Sequence, residues 1–219
     1  MIIVGICGGG GSGKSTFAER IRDGLSCSCE IMRLDCYYFD QGGKPFEERT
    51  KVNYDSPEIF DFDEMLADIR LLLDGKPVTR KGYNYAEHRR DDSEELMYPP
   101  EVLIIEGIHV FYDDRICDIM NLKLFIKVDS DICLLRRIAR DMNERGRSLE
   151  SISEQYKATV KPMREKYIDK YIDKADVVVM RGGMNEQALK TTISYLKSCV
   201  KEQRPAESEK NESDGNDSE

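Results

Sequence analysis

The stretch Gly8-Gly9-Gly10-Gly11-Ser12-Gly13-Lys14-Ser15, set directly behind the apolar run Met1–Cys7, constrains this chain more than any other feature. It fits the spacing G-x-x-x-x-G-K-[ST], and each part has a physical task. Glycines let successive backbone N–H groups curl around an anion without side-chain clashes. A helix starting behind the loop turns its positive N-terminus toward the same anion. Lys14 would reach the β- and γ-phosphates of a nucleotide, and Ser15 would bind Mg2+. The same residues also satisfy G-x-G-x-x-G through Gly8, Gly10 and Gly13, and Asp35 lies near the distance of a ribose-binding acid in a dinucleotide fold. Such a fold wants the last glycine for close helix packing and has no use for a lysine and a hydroxyl directly after it. Lys14-Ser15 therefore decides for a phosphate-binding P-loop.

Behind that loop the chain alternates. Ser15–Leu25 has helical composition, Glu30–Leu34 reads as a short strand, and Phe62–Leu73 shows helical apolar spacing closed by Asp74-Gly75. Val102–Ile105, Leu122–Val128 and Val177–Met180 are further apolar strands. Strands separated by helices predict an α/β fold of P-loop NTPase type, a parallel sheet with helices on both faces. Two parts break the rhythm. Val78–Pro100, with Tyr83, Tyr85 and Tyr98, reads as a β-hairpin insertion, and Ile132–Tyr171, long, helical and arginine-rich, as a lid and the helices that follow it. Residues 1–200 then form one domain. Lys201–Glu219, with seven acids against three bases and no apolar run, reads as a disordered acidic tail.

In a parallel sheet the carboxyl ends of the strands line the ligand crevice. Asp35 follows the strand ending at Leu34, and Glu106 follows Val102–Ile105, so both are expected beside the P-loop. Glu106 stands at a Walker-B-like position for Mg2+ or its waters, and Asp35 could orient or deprotonate a substrate hydroxyl. Arg136, Arg137, Arg140, Arg145 and Arg147 cluster inside an otherwise acidic chain. Arginines at three- and four-residue spacing share one helix face. There they can stabilise the spread negative charge of a transferring phosphoryl group and close over it.

With these residues in view, the sequence resembles the uridine kinase family, within the wider group that includes phosphoribulokinase and bacterial pantothenate kinase. The resemblance covers residues 1 to about 197 and rests on the ordered blocks GGGGSGKST, LDCYYFD, VNYDSP, YNYAEH, IIEGIH, LLRRIARDMNERGRSLESISEQY, VKPM and ADVVVMRGG. It implies ATP-dependent (or GTP-dependent) phosphorylation of the 5′-hydroxyl of uridine, and of cytidine, in pyrimidine salvage. Gly8 to Ser15 and Thr16 would hold the triphosphate, with Mg2+ at Ser15, Glu106 and Asp35. Asp35 would activate the 5′-hydroxyl, and Asp55 would take the ribose hydroxyls. Tyr83, Tyr85 and His88 would form the base pocket, where aromatic rings stack on a pyrimidine and an imidazole meets its polar edge. Arg137 and Gln155 would face the nucleoside, Arg140, Arg145 and Arg147 the phosphates, and Arg181-Gly182-Gly183 the adenine. A homo-oligomer, commonly a tetramer, is also implied. The chain departs from the family pattern on the substrate side: Lys81-Gly82 where proline usually precedes Tyr83, Ser56 where histidine is common, and Cys36 where serine follows the acid. His109, after the Glu106 loop, stands where an aliphatic residue is more usual and has no assigned role.

Composition narrows the alternatives. A net charge of -9 is a poor match to a general nucleic-acid binder, which needs a basic face. No segment approaches about 18 consecutive apolar residues, so no membrane span is expected, and Met1–Gly10 is too short for a signal-peptide core. Seven cysteines without metal-ligand spacing suggest free thiols in a reducing, cytoplasmic compartment. A non-catalytic nucleotide-binding regulator would lack the hydroxyl-activating acid or the lid arginines, and both are present here.

Overall fold

Aliphatic residues fill the strands without a polar face, which is the pattern of a sheet covered on both sides. The computed structural model describes residues 1–204. In chain order it contains β1 (Ile2–Cys7), α1 (Lys14–Gly24), β2 (Cys29–Arg33), a 3-10 turn (Leu34–Tyr37), α2 (Phe46–Arg49), a second 3-10 turn (Pro57–Ile59) and α3 (Phe62–Leu73). A hairpin follows, β3 (Val78–Asn84) with β4 (Arg89–Met97), then β5 (Val102–Gly107), α4 (Asp114–Cys117) and β6 (Leu122–Lys127). The chain continues through α5 (Ser130–Arg145), α6 (Leu149–Gln155), a π-turn (Tyr156–Val160), α7 (Lys161–Lys166), a 3-10 segment (Ile168–Lys174), β7 (Val177–Met180) and α8 (Glu186–Gln203).

The main sheet has five strands in the order β2-β5-β1-β6-β7, all parallel. Strand alternation sends Ile3, Cys7, Leu103 and Ile105 into one core layer, shared with α3, and Ile2, Val4, Ile6 and Ile104 into the other, shared with α1 and α8. Helices on both faces are thus as the sequence predicts. Strand β1 lies between β5 and β6, where connections leave in opposite directions, so the loop after it sits at the topological switch point. Helix α3 shows how locally the frame is specified. Asp61 caps it by accepting from the Glu64 amide at 2.8 Å, its buried face is Phe62, Met65, Leu66, Ile69 and Leu72, and the Gly75 and Lys76 amides close it on the Leu72 and Leu71 carbonyls.

The arginine-rich stretch is divided into several helices: Gly146, at φ 61°, ends α5, and Ser148 caps α6 by accepting from the Ser151 amide. One boundary differs from expectation. Lys201–Gln203 belong to α8, so the expected tail does not begin at Lys201. Its remaining residues, 205–219, lie outside the described ones. The seven cysteines are free, and no helix among the described residues is long and apolar enough to cross a membrane.

Candidate active site

The P-loop is defined by its backbone. Gly11 and Gly13 have φ of 83° and 89°, and a Cβ on Gly11 would lie 2.4 Å from the Cys133 carbonyl oxygen, one on Gly13 2.9 Å from the Gly183 nitrogen. The loop is therefore clasped between the start of α5 and the Gly182-Gly183 turn, and neither position has room for a side chain. Helix α1 begins at Lys14 with no side-chain cap and no acid in its first turn, so its first amides are left for an anion. Ser12 is buried, and its hydroxyl has no hydrogen-bond partner among the described residues.

Strands β1 and β5 are in register, Ile6 beside Glu106, so Glu106 emerges next to the P-loop. Ser15 Oγ donates to Glu106 Oε1 at 3.0 Å, while the buried Oε2 has no partner. Burial pushes the Glu106 carboxyl up, against the pull of Lys14. A hydroxyl and a half-used carboxylate are what Mg2+ takes when phosphates and waters complete its octahedron. The residues fit the ion, although no cluster of His, Cys, Asp and Glu among the described residues would cage a metal unaided.

From Gly10 and Lys14 one cleft runs to Asp35, Asp55, the hairpin and the lid arginines. Asp35 sits in the 3-10 turn after β2, and Tyr85 Oη donates to its Oδ2 at 2.6 Å. The Arg145 guanidinium stands 4.2 Å over the Tyr85 ring. Tyr83 packs edge-on to Tyr85 and against Tyr38, with centroids 5.1 and 4.7 Å apart. A bulge between Lys81 and Tyr83 accompanies the Lys81-Gly82 departure. His88 adopts a left-handed φ of 50°, and its ring stacks on Tyr54 at 5.1 Å. Burial, and then Arg147, Arg145 and Arg49, hold its pKa down, which favours the neutral ring. Asp55 is buried. Thr159 Oγ1 donates to its Oδ2 at 3.1 Å, and Arg137 Nη1 is 3.7 Å from Oδ1.

The lid arginines converge on a residue that sequence reasoning passes over. Asp141, with no exposed surface, is met by Arg140 at 2.8 Å, Arg145 at 3.4 Å, and Arg137 and Arg147 at 3.6 Å. Gln155 Oε1 accepts from Arg137 at 2.9 Å and from Arg147 at 2.5 Å. Arg136 does not line this cleft; its Nη1 donates to the Gly11 carbonyl of the P-loop at 3.4 Å. Thr16 and Arg181 are exposed and outside the cleft. Arg181, at φ 68°, adjoins the glycines that press on the P-loop. Tyr38, Tyr54 and Thr159 also join the cleft or its wall without having been singled out. The tyrosines stood inside quoted blocks, whereas Thr159 is aimed by a π-turn that leaves no mark in the sequence.

Residues 3–188 match the Phosphoribulokinase / Uridine kinase family. The chain belongs to that family. It is 41% identical over 201 residues to a uridine kinase of Ligilactobacillus salivarius (strain UCC118), covering 91% of this chain and 94% of that protein. It is 42% identical over 202 residues to a uridine kinase of Streptococcus pyogenes serotype M5 (strain Manfredo), covering 92% and 97%. The phosphoribulokinase of Rhodobacter spheroides shares the fold with a TM-score of 0.59 at 12% identity, over 82% of this chain and 69% of that one. The protein is accordingly a P-loop kinase and binds ATP as the family does.

Proposed function

We propose that this kinase moves the γ-phosphate of ATP onto the 5′-hydroxyl of uridine, and of cytidine, as a pyrimidine-salvage enzyme. The observation that carries the reading is the single cleft joining Lys14 of the P-loop to Asp35, Asp55, the hairpin aromatics and the arginines. The names of the curated relatives point the same way.

In this reading the amides of residues 8–16 and the Lys14 ammonium hold the triphosphate, with Arg181-Gly182-Gly183 beside its adenine. Ser15 and Glu106, with Asp35 close by, hold Mg2+, which when bound neutralises charge on the phosphate oxygens. Asp55 and Arg137 fix the ribose, and Gln155 supports Arg137. Tyr83 and Tyr85 flank the pyrimidine. A neutral His88 can offer either a donor or an acceptor to the base edge, which suits both uracil and cytosine. Asp35 orients the 5′-hydroxyl in line with the γ-phosphate and takes its proton as the new O–P bond forms and ADP leaves. Arg140, Arg145 and Arg147 stabilise the charge in transit. The reading also places the protein in the cytoplasm, as a homotetramer.

A coupled ADP-release assay with Mg2+, ATP and a panel of uridine, cytidine, adenosine, ribulose 5-phosphate and pantothenate tests it. Turnover with the pyrimidine nucleosides alone is expected. Silence on both, in protein that still binds ATP, would transfer the reading to another hydroxyl acceptor.

A further inference from the structure

His109 has no part in the phosphotransfer, yet it is among the most completely buried polar residues of the chain. It lies in the turn after β5, close behind Glu106. Both ring nitrogens are engaged: Nε2 is 2.7 Å from the Asp55 carbonyl oxygen and Nδ1 is 2.9 Å from Tyr171 Oη. A carbonyl can only accept, so Nε2 must carry the hydrogen, Nδ1 must accept, and the Tyr171 hydroxyl must donate. The relay therefore has one direction, from Tyr171 through the ring to the Asp55 main chain. Phe60, Tyr112 and Tyr167 stand edge-on around the imidazole, with centroids 5.9, 6.4 and 5.9 Å away, and keep water from it. That burial lowers the ring's pKa to about 4, so the neutral form the relay needs persists at physiological pH.

Thr159 and Arg137 hold the Asp55 side chain and Tyr54 packs on His88, but the main chain of the segment the relay reaches has few other long-range ties. The backbone bonds of residues 53–56 are local, Tyr54 to Val52 and Ser56 to Asn53. The longer-range bonds to its main chain or to Tyr54 are long: Tyr38 Oη to the Tyr54 carbonyl at 3.3 Å, and Tyr54 Oη to the His88 carbonyl at 3.4 Å. The His109 bond is the shortest of these, and it ties the segment to the turn directly behind β5 and Glu106. Tyr171, at the far end, belongs to the 3-10 segment that follows the lid.

We propose that His109 is a positioning residue that sets Asp55 at its depth in the cleft, tying the ribose-side loop to the end of β5 and, through Tyr171, to the segment behind the lid. The proposal rests on the reading of Asp55 as a nucleoside contact.

The test uses the full chain with His109→Leu, His109→Gln and Tyr171→Phe, and two readouts. The first is KM for uridine against KM for ATP. The second is amide hydrogen exchange of residues 53–57, with residues 8–15 as the internal reference. His109→Leu is expected to raise KM for uridine and exchange at 53–57 by about tenfold each, the loss of one buried hydrogen bond, with KM for ATP and exchange at 8–15 within about twofold. His109→Gln, whose amide can still donate to the Asp55 carbonyl, should recover at least half of the effect on a logarithmic scale. Tyr171→Phe, which removes one buried hydroxyl, should move both readouts the same way by less. Unchanged exchange at 53–57 in folded His109→Leu overturns the proposal. So does a rise in both KM values with exchange increased throughout, since that marks a role in stability alone. If His109→Leu fails to fold, Tyr171→Phe decides on the same criteria. A wild-type protein silent on uridine would sink the nucleoside reading by itself, while the exchange difference would still decide the positioning.

Discussion

In the proposed reading the triphosphate is cradled chiefly by one unbroken stretch of chain, residues 8–15, and mostly by backbone amides held where Gly11 and Gly13 leave no room for a Cβ. On the acceptor side the contacts come from side chains gathered from far apart: Asp35 behind β2, Asp55 before α3, Tyr83 to His88 on the hairpin, and Arg137 to Thr159 on the lid. The backbone cradle has no rotamers to adjust, and it recognises a phosphate chain as such. The acceptor side is a set of mutually supporting side chains, so it can be altered one contact at a time. That difference is why the class of reaction is more tightly written into the chain than the molecule that receives the phosphate.

The sharpest way to break this comparison is Asp35→Asn. If the two sides are separable, the variant should lose about 10²- to 10⁴-fold in kcat, the range for removing a general base, with the Kd for ATP within about twofold. Steady-state turnover beside calorimetric ATP binding measures both. A variant that keeps most of its kcat removes Asp35 from the mechanism, and one that loses ATP affinity in proportion shows that the two sides are one unit.

Asp141→Asn probes the seam. One wholly buried carboxylate holds Arg137, Arg140, Arg145 and Arg147 together. Removing its charge leaves the guanidinium groups facing one another, and breaking a buried ion pair costs about 3 kcal/mol or more. The variant should melt several degrees lower and turn over about tenfold more slowly. ATP, a polyanion that can take over as counter-ion, should raise its melting temperature by more than it raises that of the wild type. Equal ATP shifts in the two proteins would mean that the arginines do not exchange Asp141 for phosphate.

The same division governs what the sequence makes legible. Five apolar strands, the capped helix Phe62–Leu73 and the glycine loop are local features, written by periodicity and by residues that tolerate special backbone, and each is found close to where it is expected. Asp35 and Glu106 follow from strand ends once the sheet is parallel. Asp141 is not legible, because an acid among arginines on a helix reads as a solvated ion pair, and only the fold buries it. His109 reads as an unassigned departure, because its partners Asp55 and Tyr171 are 54 and 62 residues away in the chain. The break at Gly146-Ser148 carries recognisable cap residues between the lid helix and the helices that follow it.

The mildest test separates two tasks carried by one ring. Tyr85 is expected to stack on the base, yet its hydroxyl also donates to Asp35 Oδ2, while Arg145 lies over its face. Tyr85→Phe keeps the ring and the cation–π contact and deletes only the donor. Asp35 then loses one hydrogen bond to its charged form, worth about 1 to 2 kcal/mol before water replaces it at a half-open site. A fall in kcat of about threefold to tenfold is expected, with KM for uridine nearly unchanged, because the stacking surface remains. A rise in KM with kcat intact would assign the hydroxyl to the base instead. In that case the bond to Asp35 would belong to the nucleoside-free cleft alone, and the acceptor side would rearrange more on filling than the phosphate side can.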